Sequence, residues 1–144
     1  MERTAIILRN SPDGKRCIAV DEEVMDEVLA YIGQDQRHKN KFIDIVHVLL
    51  AGLKNRDLYD KENIDASCKD VTAMKFFKGQ ENDRIYCKEV HRGGKTLIVI
   101  MGALHEKKKT TKNTNREIAT IRNVGSYTYP EHKIHERKTR KKPC

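Results

Sequence analysis

Apolar positions in this chain fall into short runs whose period changes along the sequence. Thr4-Ala5-Ile6-Ile7-Leu8 and Arg16-Cys17-Ile18-Ala19-Val20 read as two strands. Between them lies Ser11-Pro12-Asp13-Gly14, a turn in which Pro presets φ and Gly accepts positive φ. Asp21 then offers an N-cap, with Glu22 and Glu23 suited to the positive end of a helix dipole. Val24, Val28, Leu29 and Ile32 recur at helical spacing, which predicts a helix over 22–32 with Gly33 at its end. After a polar break at 34–40, Phe42, Val46, Leu49, Leu50 and Leu53 mark a second helix, widened by Ile43 and Ile45. Two helices joined by so short a break predict an antiparallel helical hairpin.

The second half of the chain is dominated by period two. Residues 58–69 are polar and irregular, anchored by Ile64. Val71–Phe77 has the β-branched and aromatic content of a strand. Residues 84–90 alternate, so Arg84, Tyr86, Lys88 and Val90 share one face and Ile85, Cys87 and Glu89 the other. Arg92-Gly93-Gly94-Lys95 reads as a hairpin turn. Residues 96–101 are nearly all apolar, as in a central strand covered on both faces. Thr114-Asn115-Arg116-Glu117 is a capping-box pattern, followed by Ile118, Ile121 and Val124 at helical spacing and by Gly125. The expected fold is therefore α+β: a small, mainly antiparallel sheet packed by an N-terminal helical hairpin and a C-terminal helix. Residues 1–129 are expected to form one domain with an N-terminal strand or hairpin extension. Residues 130–144, charged and without period, are expected to be a disordered basic tail.

Charge sharpens this picture. Residues 1–104 carry 17 Lys/Arg and 17 Asp/Glu, whereas residues 105–144 carry 12 against 4, so the net charge of +8 lies wholly in the last forty residues. A basic run placed directly after an apolar strand suits a phosphate-backbone partner, and a solubilising tail is the plain alternative. The basic part lacks the Trp/Phe/Leu face of an interfacial helix, and no run approaches a membrane span. Ile6-Ile7-Leu8 is too short for a signal peptide, which places the expected location in the cytoplasm. The four cysteines, Cys17, Cys68, Cys87 and Cys144, form no C-x-x-C pair, so neither a zinc site nor a disulfide framework is expected.

Three segments, in this order of elements, carry a family resemblance. They are Asp70–Lys78, Arg84–Val90, and the run from Leu97 to Lys109 continuing through Lys112-Asn113-Thr114-Asn115-Arg116-Glu117-Ile118-Ala119. Together they resemble the RelE/HigB-type toxins of bacterial type II toxin–antitoxin systems, over about Val20 to Tyr129. The resemblance implies a ribosome-associated mRNA endonuclease that inhibits translation with no metal or other cofactor. It also implies a cognate antitoxin as partner, with a helix-turn-helix that this chain lacks. Members that poison DNA gyrase without cleaving RNA leave a second reading open, and a basic nucleic-acid-binding module without toxicity is a third.

Metal-free RNA cleavage needs a base for the 2′ proton, an acid for the leaving 5′-oxygen and cations for the phosphorane charge. Arg84 and Lys88 share a strand face, and Arg84 is the better clamp because its guanidinium is planar and bidentate. His105 is the leading proton-transfer candidate, ahead of His91. Tyr127, with Tyr129 beside it, is placed to assist catalysis, to stack on a base or to pack on the sheet. The catalytic candidates are therefore Arg84, Lys88, His105 and Tyr127. Lys75, Lys78, Lys107, Lys108, Lys109, Lys112 and Arg116 are the candidates for phosphate contact, the last two bordering a helix N-terminus.

Overall fold

The computed structural model describes residues 2–62, 68, 70–77, 83–91, 95, 97–106 and 115–136. Its strands are β1 (Ala5–Asn10), β2 (Arg16–Asp21), β3 (Tyr59–Lys61), β4 (Val71–Lys75), β5 (Arg84–Val90), β6 (Leu97–His105) and β7 (Ile134–Glu136). A single 3-10 turn, Glu22–Val24, precedes helix α1 (Met25–Gly33), and α2 (Gln36–Leu50) and α3 (Asn115–Ser126) complete the order. The architecture is α+β. One seven-stranded sheet runs β3-β4-β5-β6-β2-β1-β7, antiparallel except where β2 meets β6 and β1 meets β7. The sheet is thus larger than the small one expected, because the N-terminal hairpin joins it through β2 and short strands extend both edges.

Alternation along the strands divides the core into two faces. Ile18 and Val20 of β2, Met74 of β4, Ile85 and Cys87 of β5, and Val99 and Met101 of β6 pack with Val28, Tyr31 and Ile32 of α1 and Phe42, Ile45 and Leu49 of α2. The opposite face carries Val71, Ala73 and Tyr86 against Ile121 and Val124 of α3. Next to them, Cys17, Ala19, Ile98 and Ile100 pack against Tyr129. Each large side chain buried in this way is worth about 1.5–3 kcal/mol relative to exposure.

Local chemistry explains where the elements depart from the expected bounds. Helix α2 begins at Gln36 rather than Phe42, because Asp35 is extended and its carboxylate accepts from the His38 amide at 2.8 Å. The polar stretch read as a break is therefore the first turn of the helix, exposed except for His38, which packs edge-on against Tyr31 and Phe77. Gly33 stays within α1. The positive φ lies instead at Gly52 (71°), where the Leu53 amide donates to Val48 O and the Gly52 amide to Leu49 O. That pairing is a Schellman ending, and it stops α2 before Leu53. Strand β6 continues four residues past Met101. It passes a bulge at Gly102, where Val124 Cγ1 would lie 3.3 Å from any Cβ, and ends with His105 opposite Arg84.

The segment after Pro130 is ordered as far as Glu136, against the expectation of disorder. Glu131–Lys133 forms a 3-10 turn, and β7 pairs in parallel with β1 through Ala5↔Ile134, Ile6↔His135 and Ile7↔Glu136. Ile134 packs beside Ala5, Ile7 and Tyr129, and the strand covers an otherwise open edge. The same corner is fixed by the fully buried carboxylate of Asp21. It receives the Arg3 guanidinium, Tyr129 Oη at 2.7 Å and the Glu23 amide at 2.9 Å. Residues 137–144 lie outside the described residues.

Candidate catalytic site

The polar residues of the α3 face gather at its end near β6. Antiparallel register sets Arg84 opposite both Lys75 and His105. The Arg84 guanidinium donates to Glu62 Oε1 at 3.0 Å, with both side chains mostly buried. Burial pushes the Glu62 carboxyl above its ordinary value, opposed by the positive charges of Arg84 and Lys75. Lys75 Nζ itself donates to Arg56 O at 3.0 Å.

One residue inward, Tyr86 Oη donates to Glu117 Oε2 at 2.6 Å, and both side chains are buried. Burial, reinforced by the adjacent Glu117 carboxylate, pushes the Tyr86 hydroxyl far above its ordinary value. It therefore stays a donor. The same Glu117 oxygen lies 3.4 Å from His105 Nε2, and the His105 side chain keeps 22% of its surface exposed. Its imidazole is thus backed by a carboxylate on one side and open on the other. A depression of about 330 Å³ lies there, lined by Leu104, His105, Glu106, Arg116 and Thr120. Arg116 is placed at this mouth by the first turn of α3, whose next residue is the buried Glu117.

This arrangement brings together Arg84, His105 and Arg116, with Lys75 beside them on the strand next to Arg84. It separates Lys88 and Tyr127 from them. Four residues along a strand amount to about 13 Å, and the body of α3 crosses the interval. Lys88 Nζ donates to Gly125 O at 2.6 Å, a cation at the C-terminal end of α3, where the helix dipole favours it. Tyr127 lies under the Arg3 guanidinium, 3.9 Å from its ring centroid, and packs edge-on against Tyr129. Lys88, His91, Tyr127 and Tyr129 line a separate depression of about 350 Å³. The four residues expected to act together thus occupy two ends of one face. Lys78, Lys107, Lys108, Lys109 and Lys112 lie outside the described residues.

Three participants were not singled out from the sequence. Glu62 sits in the irregular segment before β4, with no pattern to mark it. Glu117 reads as half of a capping box, yet its carboxylate is turned to the sheet. Tyr86 does have a signal, since its parity places it between Arg84 and Lys88. Among the described residues, no group of three or more His, Cys, Asp or Glu is arranged to hold a metal ion, and no helix is long and apolar enough to cross a membrane. Compared with known protein families, with curated proteins and with solved structures, the chain matches none.

Proposed function

We propose that this protein is a RelE/HigB-type toxin that cleaves mRNA on the ribosome by attack of a 2′-OH on the adjacent phosphate. The observation that carries the reading is the cross-strand pair Arg84–His105, with His105 backed by the buried Glu117 and flanked by Arg116. In this reading His105 takes the 2′ proton as the 2′-oxygen bonds to phosphorus. The P–O5′ bond breaks, the 5′-oxygen takes a proton from solvent, and a 2′,3′-cyclic phosphate and a 5′-hydroxyl result. Arg84 and Arg116 neutralise the charge that builds on the non-bridging oxygens. Glu117, itself fixed by Tyr86, positions the imidazole. The succession β2, α1, α2, β4, β5, β6, α3, to which β1, β3 and β7 are added, and the basic C-terminal region support the same assignment. The reading implies a cognate antitoxin partner, which would supply the operator-binding helix-turn-helix.

Induced expression followed by primer extension on cellular mRNA tests the proposal. Breaks phased to codons that disappear in His105→Ala and Arg84→Ala are the expected result; intact message during growth arrest would overturn it. One observation favours a second reading. Arg84 is already held by Glu62, so the face is also suited to binding a protein target, of the gyrase type, without cleavage. Normal mRNA accompanied by DNA breaks selects that reading.

A further inference from the structure

A cavity of about 450 Å³ lies on the opposite face of the sheet, below the end of α2. Its apolar wall is built from Val48, Leu49, Leu53 and Leu97. Its floor is locked by polar contacts: Thr72 Oγ1 donates to Tyr59 Oη, and Tyr59 Oη donates to Glu89 Oε2, each at 2.6 Å. Four cations, Arg16, Lys54, Arg56 and Lys61, surround it against two carboxylates, Asp60 and Glu89. Glu89 is already engaged by Tyr59, and Asp60 accepts from the Lys61 amide.

Arg16 is the unusual member. It is half-buried in β2, opposite Leu97 of β6. Its guanidinium lies against Gly52, with Cζ 3.1 Å from the position a Cβ would take. The glycine that ends α2 is therefore also what gives the guanidinium room. No described residue hydrogen-bonds to that guanidinium or forms an ion pair with it. A half-buried arginine with no carboxylate among the described residues in direct contact, its charge felt only at a distance by Asp13, faces a cavity of ligand size and is suited to an anion. Lys54, Arg56 and Lys61 likewise make no ion pair with a described residue, so the charge is not spent inside the protein.

We propose that this cavity binds a nucleoside phosphate, either free or as one residue of an RNA strand. The phosphate sits on Arg16 and Lys61, and the flat base lies on the leucine wall. Asn55 and Asp60 face the ribose hydroxyls. A fatty acid would offer Asn55 and Asp60 no hydrogen bond beyond the backbone amides of Asp57 and Lys61 that they already accept from. The inference does not depend on the RNA-cleavage reading, since no residue is shared between the two sites.

Calorimetric titration of the full chain with ADP and with a ten-nucleotide single-stranded RNA provides the test. Removing one charge-assisted contact lowers affinity by about tenfold, so Arg16→Met is expected to weaken binding by that factor. Exchange of the exposed Arg56 and Lys61 for glutamine is expected to weaken it too, which keeps the test decisive if Arg16→Met unfolds. ADP binding that depends on these residues supports a free nucleotide as the ligand. RNA binding that depends on them, with ADP inert, supports a strand. Absence of both bindings, or affinities unchanged in both variants, overturns the proposal.

Discussion

The two faces of the central sheet are built by different means. Toward α1 and α2 the interior is mainly apolar, with Ile18, Val20, Val28, Ile45, Met74 and Ile85 fully buried, and its polar contacts are confined to pairs such as Tyr31–Asp83 and Thr72–Tyr59–Glu89. Toward α3 the layer is interrupted. Tyr86 and Glu117 are buried to a comparable degree, but they are polar and hydrogen-bonded to each other, with Arg84, Glu62 and His105 around them. The first face spends its burial on stability. The second keeps two carboxylates, Glu62 and Glu117, and the Arg84 guanidinium largely out of bulk water, which costs stability unless the groups are paired and which strengthens their action on a bound anion. Chemistry is expected where the apolar layer is broken.

That contrast can be broken most sharply at His105. In the proposed RNA-cleavage reading, His105→Gln should lower cleavage by about 10²–10⁴-fold while the urea midpoint moves little, as read by a fluorescence-labelled RNA assay beside a denaturation curve. The reverse outcome, a large loss of stability at unchanged rate, would assign His105 to packing. On the apolar face, Ile45→Ala should cost about 2–5 kcal/mol of folding stability, measured by the same curve. Between these lies Tyr86→Phe. It removes the hydroxyl that satisfies the buried Glu117 and should cost about 1–3 kcal/mol, with a cleavage rate lowered through the loosened imidazole. If Tyr86→Phe proves neutral in both respects, the two faces do not differ in the way described.

A smaller effect separates the faces by pH. Glu62 is raised above its ordinary carboxylate value by burial, so the folded chain holds this proton more tightly than the unfolded chain. The contribution of Glu62 is then most favourable below the ordinary carboxylate value, near 4.3, and is lost as pH rises through the raised value. Glu62→Gln should therefore flatten the decline in stability over the acid range and free Arg84 for phosphate, seen in urea curves at stepped pH. Smallest of all, Ile43→Ser on the exposed side of α2 should stay within about 0.5 kcal/mol, because Ile43 retains 57% of its surface in contact with solvent.

Much of this architecture is legible from residue order, for identifiable reasons. Strand alternation over 84–90 correctly places Ile85 and Cys87 on one face and Tyr86 on the other. The apolar run near 96–101 is indeed the strand between β5 and β2, covered on both sides. The elements misjudged are those whose cause hydrophobic period does not mark. The first turn of α2 is polar, with His38 its one buried residue, so its hydrophobic signal is absent while its cap, Asp35, is decisive. The pairing of β7 depends on a free edge at β1 that no local pattern announces. The bulge at Gly102 lengthens β6 by shifting its register against β5.

By itself, then, the order of amino acids determined the longer helical and extended segments, which side of β5 is apolar, and that the positive charge follows the last long strand. These depend on neighbours two, three or four positions apart, and that spacing is written in the chain. Only the tertiary structure decided that Glu62 and Arg84 meet, that Glu117 turns from a helix start toward Tyr86 and His105, and that Lys88 is drawn to the far end of α3. Those contacts join residues 22 to 37 positions apart or on different elements, and strand register and the seating of α3 on the sheet create them.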